Sequence, residues 1–287
     1  GECSASRVPQ RGASSNGHSL TLCRHRLTIL DRVRRPTRTL LAGFVALAIA
    51  AGGCGDDDDD ASSVGDVTVF AAASLTDAFT ELGDAFSAAH PGADVTFNFA
   101  ASSQLVTQIG EGAPADVFAS ADLADMAKLT EAGNHASEPV VFTTNRAQII
   151  VERGNPRGIT TVADLGRDDL VVVACAPEVP CGRYAQQILD KAGVTVTFAS
   201  LEENVRAVVS KVTLGEADAG IVYATDVAGA GDAADGVDIP AAVNVVAEYP
   251  IVVIKDAPHP DAAQAFVDFV LSEPGRTILE SHGFVPP

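Results

Sequence analysis

The sequence has no tryptophan, one methionine (Met126), three tyrosines and an aromatic content of only 5% over 287 residues. Any core must therefore come from aliphatic side chains and phenylalanine, and 47% hydrophobic residues over this length supply a substantial one. Basic residues are also scarce, 19 against 38 acidic, for a formal charge of −19. Their distribution is uneven. Residues 1–53 hold eight arginines opposed only by Glu2 and Asp31, so from residue 54 onward 11 basic side chains face 36 acidic ones, a net of −25. Such a surface repels nucleic acid and anionic lipid, which removes nucleic acid from the expected partners. Signatures of common catalytic centres are missing as well. There is no G-x-S-x-G elbow, no H-E-x-x-H pair and no G-x-x-x-x-G-K-[ST] phosphate loop. Past residue 53 the histidines are His90, His135, His259 and His282, dispersed and mostly beside proline or glycine. They read as loop residues rather than as a metal or catalytic cluster, so no enzyme and no resident cofactor or metal is expected.

One long apolar run is present, LLAGFVALAIA at 40–50, preceded by Arg32, Arg34, Arg35 and Arg38. It is too short to span a bilayer comfortably and matches the apolar region of a secretory signal. The run ends in Ala-Gly-Gly-Cys54, which resembles a bacterial lipoprotein cleavage box whose cysteine becomes the lipidated N-terminus; Ala51 stands where that box usually has leucine. We expect 1–53 to be a signal and processing region, and 54–65, with the acidic run Asp56–Asp60, a lipid-anchor linker. Five adjacent carboxylates repel one another and lack the glycine turn of a calcium loop. Residues 1–30 fit no part of a signal, so translation is expected to begin near Val33, leaving Cys3 and Cys23 outside the mature protein.

From Asp66 onward strand and helix patterns alternate, which argues for an α/β protein with mainly parallel sheets. Expected strands are 66–70, 94–99, 115–120, 147–152, 169–174, 194–199, 219–224 and 249–254. Leu75, Ala78, Phe79, Leu82 and Phe86 share one face of an expected helix. Further helices are marked by Leu105/Val106/Ile109, Ala185/Ile188/Leu189, Val205/Val208/Val209/Val212 and Phe266/Phe269/Val270. VTVFAAASLTDAFTEL and LVVVACAPEVPCGRYAQQIL echo one another as strand, small-residue loop and amphipathic helix. Two such lobes facing each other would make a cleft at the carboxyl ends of their strands.

Four junctions offer backbone N–H groups at helix starts: Ala71-Ala-Ala-Ser74, FAASSQL (99–105), CAPEVPCGRYA (175–185) and SLEENVRAVV (200–209). Small, uncharged residues there let an anion approach the positive helix end, and a set of donors without counter-charge suits an anion that carries no proton. Ordinary capping competes, since Ser74-x-x-Asp77 and Ser200-x-x-Glu203 both match the capping box. Taken singly, each junction is explained at least as well that way. Arg183 and Arg206 lie nearby and are expected to face solvent. The residues alone thus reach a two-lobed α/β protein and leave its ligand open.

Six segments in order carry a more specific resemblance: VTVFAAASLTDAF, FAASSQLVTQI, GAPADVFASAD, VPCGRYA, ENVRAVV and AGIVYATD. With the ending HGFVPP they resemble the successive signature segments of molybdate-binding proteins of ABC importers, over almost the whole of 66–287. The resemblance implies a two-lobed type II periplasmic-binding-protein fold, with lobe I at 66–143 and 247–287 and lobe II at 144–246. Its hinge connections would lie near Thr143–Gln148 and Ala247–Ile251. It also implies an oxyanion ligand, molybdate or tungstate, held by the hydroxyls of Ser74 and Ser102, the N–H groups of Cys181 and Val205, and the Tyr223 hydroxyl. Relatives often have alanine where Cys181 stands, a change that matters little if only its N–H is used. Expected partners are an ABC permease and its ATPase, with the protein a monomer outside the cytoplasmic membrane, anchored through Cys54. Cys175 and Cys181, six positions apart in an exported chain, are expected to form a disulfide. Sulfate as ligand, or a serine hydrolase built on Ser74, are the alternatives.

Overall fold

The structure, a computed structural model, describes residues 64–287. The signal region, Cys54 and most of the acidic linker lie outside the described residues. Among these residues no helix is long and apolar enough to cross a membrane.

Among the described residues nine strands form one curled sheet, in the order β2-β1-β3-β9-β4-β7-β5-β6, with β8 also on β4. In the first half β1 (Val67–Ala72) lies parallel to β2 (Val95–Ala100) and β3 (Val117–Ala119). In the second, β5 (Val172–Cys175) lies parallel to β6 (Ser200–Glu202) and β7 (Ala219–Tyr223). The long strand β4 (Val140–Glu152) belongs to both halves. Through Arg146 it runs antiparallel to β9 (Val246–Val253), and from Ala147 it pairs instead with β7 and with β8 (Ala234–Asp238). Beside this crossing the chain end returns, Thr144 and Val285 exchanging both backbone hydrogen bonds at 2.8 and 3.0 Å.

Helix α1 (Thr76–Ala89) buries the face that its periodicity marks, with Phe79, Leu82 and Phe86 fully enclosed among Phe97, Phe142, Phe266 and Phe269. Helices α2 (Ser102–Gly110) and α3 (Leu123–Glu131) cover the other face of that sheet through Leu105, Ile109, Met126 and Leu129. In the second half α4 (Pro180–Ala192) and α5 (Val205–Thr213) bury Ala185, Ile188, Leu189, Val208 and Val212. The remaining helices are α6 (Ala224–Ala230), α7 (Pro260–Leu271) and α8 (Glu273–Ser281).

Two expectations need correction. Residues 194–199, read as a strand, lie outside any ladder: Val194, Val196 and Phe198 turn inward against the second core while Thr195 and Thr197 stay exposed. The alternation is that of an extended segment with one buried face, and the actual strand, β6, starts at Ser200. Strand β4 begins at Val140, well before the expected 147, because its first half finds partners in β9 and the chain end, over a hundred residues away.

Candidate functional site

Six strand ends, three from each half, converge on a single small cavity. Ser74 follows β1, Ser102 follows β2 and Ala121 follows β3; Cys181 follows β5, Val205 follows β6 and Tyr223 ends β7, and all six line it. The geometry follows from parallel strands, whose carboxyl ends share one edge and feed their helices from it. A cavity this small suits a ligand of few atoms.

Ser74 sits in the 3-10 turn Ala73–Leu75 that leads into α1, and neither that turn nor α1 has a side-chain cap. The Ser74-x-x-Asp77 capping box therefore does not form. Ser74 Oγ instead lies 3.0 Å from the hydroxyl of Tyr249, while Asp77 pairs with Arg206 at 2.8 Å. Ser102 is the first residue of α2, 1% exposed, and its Oγ accepts the N–H of Ala121 at 3.0 Å, leaving its own proton to point elsewhere.

Helix α4 starts with Pro180, which has no N–H, and the N–H of Arg183 is the first to bond inside the turn, to the Val179 carbonyl at 3.1 Å. The N–H groups of Cys181 and Gly182 come before that bond and have no acceptor within the helix. Cys181 is joined by a disulfide to Cys175, the last residue of β5, with a Cα–Cα distance of 5.7 Å. The link ties the helix start to the strand end. Gly182 is required at this point, because a Cβ there would stand 2.0 Å from the Ala176 carbonyl oxygen. Helix α5 is capped by Asn204, whose side chain accepts the Ala207 N–H at 3.1 Å. Ser200, which matches the capping-box pattern in sequence, lies in β6 and bonds Glu202 at 2.6 Å.

Tyr223 is 2% exposed and its hydroxyl, buried at the cavity, has no hydrogen-bond partner. Burial, reinforced by Tyr249 and Tyr184, pushes its pKa well above the ordinary tyrosine value, so it remains a donor at any physiological pH. No lining residue is charged. Arg183, expected to face solvent, is held by Asp122 at 2.5 Å and Asp125 at 2.5 Å, and also donates to the Glu178 carbonyl. Arg206 is held by Asp77. Both pairs run from the second half to the first and flank the cavity without entering it. What remains inside is a set of neutral donors at helix starts, which can stabilise an anion where water is excluded. The partner of the Ser74 hydroxyl is a phenol, Tyr249.

The family model described as bacterial extracellular solute-binding protein matches residues 67–285. The chain belongs to that family. This solute-binding protein is 42% identical over 256 residues to "Molybdate-binding protein ModA" of Mycobacterium tuberculosis H37Rv, covering 86% of this chain and 98% of that one. Its fold is shared with the periplasmic molybdate-binding protein of Azotobacter vinelandii (TM-score 0.69, 20% identity, 77% of this chain and 99% of that one). It is shared equally with the sulfate-binding protein SubI of Mycobacterium tuberculosis (TM-score 0.71, 20% identity, 77% and 87%). Fold alone therefore does not choose between these anions.

Sequence reasoning missed Asn204, Ala121 and Tyr249. Asparagine directly before a helical apolar pattern is a cap signature and could have marked Asn204. Tyr249 has no local signal, since it meets Ser74 across 175 positions.

Proposed function

We propose that this solute-binding protein holds molybdate or tungstate in the cavity between its two halves and delivers it, unaltered, to an ABC-type import permease and its ATPase. The observation that carries the reading is the donor set: two serine hydroxyls, the free N–H groups at the starts of α4 and α5, and the unpartnered Tyr223 hydroxyl, converging on a cavity without any charged side chain. A fully deprotonated tetrahedral oxyanion offers acceptors in every direction and satisfies all of them at once. Its dispersed charge needs no counter-cation when preorganised dipoles face it. The relatives named as molybdate-binding proteins support the choice of anion.

In this reading Ser74, Ser102, Cys181, Val205 and Tyr223 are the binding residues. The lobes at 66–143 plus 247–287 and at 144–246 would rock about the crossing where β4 changes partner between Arg146 and Ala147. The protein acts as a monomer outside the membrane, tethered by lipid on Cys54.

Thermal unfolding with added sodium molybdate, tungstate, sulfate or phosphate at matched ionic strength tests the reading. A ligand that binds only the folded state at about 100 times its Kd stabilises by roughly 2.7 kcal/mol, or about 5–10 °C for a domain of this size. Molybdate and tungstate are expected to give that shift, sulfate a smaller one and phosphate little. A smaller tetrahedron cannot bring every donor within hydrogen-bonding distance. Equal shifts for sulfate and molybdate would leave only a general oxyanion binder. No shift with any of the four would overturn the site.

A further inference from the structure

Arg183 and Arg206 stand at the disfavoured ends of their helices. A helix start carries partial positive charge, so acids are stabilised in its first turn and cations in its last. Two helices of the first half conform: α1 has Asp77 in its first turn, and α3 has Asp125 there with Asp122 as its cap. In the second half α4 and α5 have no acid in the first turn. Arg183 is instead the fourth residue of α4 and Arg206 the second of α5. These are the two helices whose opening N–H groups face the cavity, with Arg183 two residues past Cys181 and Arg206 directly after Val205.

The placement is compensated only across the cleft. Arg206 donates twice to Asp77, from Nη1 to Oδ2 at 2.8 Å and from Nη2 to Oδ1 at 3.1 Å. Arg183 reaches Asp122 and Asp125, and its one bond within the second half is to the Glu178 carbonyl. Separating the halves therefore breaks both pairs and leaves unlike faces. On the first face Asp77, Asp122 and Asp125 are opposed by Lys128, 2.8 Å from Asp125. On the second, two released arginines stand against Glu178 and Glu203, exposed residues just before the caps of α4 and α5. Asp226, at the start of α6, also belongs to the second half, but its carboxyl is raised to about 7 by burial and brings less than a full charge near neutrality. One cation against three carboxylates repels an approaching dianion, whereas the second face has both its cations within the helices that supply the donors.

We infer that the second half is the capture half. Arg183 and Arg206 draw the oxyanion onto the starts of α4 and α5, and afterwards close onto Asp77, Asp122 and Asp125, so the same two cations serve association first and closure second. Ser74 and Ser102 of the first half join the ligand at that second step. This rests on the reading of the cavity as an oxyanion site.

Arg206→Gln and Asp77→Asn test it, because they break one half-exposed pair from opposite sides. Association and dissociation rates of sodium molybdate, and in parallel of sodium sulfate, are measured by stopped flow. The signal is the fluorescence of the three tyrosines, whose rings stand 6.3 and 5.9 Å apart in a chain with Tyr223 at the cavity. Each rate is taken at about 0.01 M and about 0.15 M salt, where charges are screened beyond roughly 30 and 8 Å. Both variants lose the closing pair and should release the anion about three- to tenfold faster. They differ in association. Arg206→Gln should slow it about threefold or more at low salt and flatten its salt dependence, whereas Asp77→Asn should leave it unchanged or faster. Arg183→Gln should repeat the Arg206→Gln pattern. Association as fast in both arginine variants as in the wild type overturns the inference and leaves the pairs with closure alone; slower association in Asp77→Asn overturns it as well. Should the wild type bind sulfate and not molybdate, the proposed ligand fails while the sulfate rates still decide which half captures. A wild type that binds neither removes both.

Discussion

Replacing Tyr223 with phenylalanine deletes one oxygen atom from the wall of the cavity, and the structure gives that deletion opposite signs with and without ligand. In the unliganded protein the hydroxyl is buried without a partner. A buried polar group left unpaired costs about 1–3 kcal/mol, so its removal should stabilise the unliganded protein by about 1 kcal/mol once water entering an open cleft is allowed for. With an oxyanion bound the same hydroxyl donates to a charged acceptor, a bond contributing about 1.5–3 kcal/mol, and its loss should raise Kd roughly 10- to 150-fold. At an anion concentration about 100 times the wild-type Kd, the wild type gains roughly 2.7 kcal/mol; a variant weakened about 30-fold gains roughly 0.9 kcal/mol. At about 2–4 °C per kcal/mol, the variant should melt a few degrees above the wild type without anion and a few degrees below it with anion. Scanning calorimetry suits the measurement, because the chain has no tryptophan for a fluorescence readout. The reasoning is refuted if Tyr223→Phe melts below the wild type in the absence of anion and gains the same shift in its presence. That pattern would make Tyr223 a packing residue of β7.

Three further outcomes follow from the same geometry. Arg183→Met removes the cation that bridges Asp122 and Asp125, both buried; Asp125 keeps Lys128 at 2.8 Å but Asp122 loses its only cationic partner among the described residues, and we expect oxyanion dissociation at least tenfold faster in stopped-flow displacement, against no change if the bridge is ornamental. Gly182→Ala drives a Cβ to 2.0 Å from the Ala176 carbonyl oxygen, which must push the start of α4 off its strand; a stability loss of about 1–3 kcal/mol by urea unfolding, with at least tenfold weaker anion binding, is the expected result. Burial, opposed by the Tyr223 N–H, raises the Asp226 carboxyl to about 7. Between its unfolded value near 3.8 and 7 the folded state holds more protons than the unfolded, so stability falls as pH rises through that window. Asp226→Asn keeps the acceptor for the Tyr223 N–H and loses the charge; it should be the more stable form at pH 8, with the difference vanishing near pH 4 in urea unfolding measured across pH.

Local sequence determined the elements whose stability is local or one-sided. The apolar periodicity of Leu75, Phe79, Leu82 and Phe86 specifies the buried face of α1 wherever that helix packs, and the small residues at 71–74, 101–103 and 181–182 mark backbone that something must approach closely. The order of those junctions carried the two-lobed arrangement, because parallel strands must bring their carboxyl ends to a common edge. What the sequence could not decide was which junction residue caps a helix and which faces the cavity. Ser74 and Ser200 carry the same local signature, yet one lies against Tyr249 and the other bonds Glu202. Nor could it separate a strand from an extended segment at 194–199, or find the first half of β4, since a ladder needs a partner and the partner is distant in sequence. Arg183 and Arg206, expected to face solvent, find carboxylates across the cleft only when the two halves are brought together. Periodicity and small side chains are properties of a short stretch, whereas a hydrogen bond's partner and direction are properties of three dimensions. Ser74 and Tyr249 meet across 175 positions, and only the folded structure places them in contact.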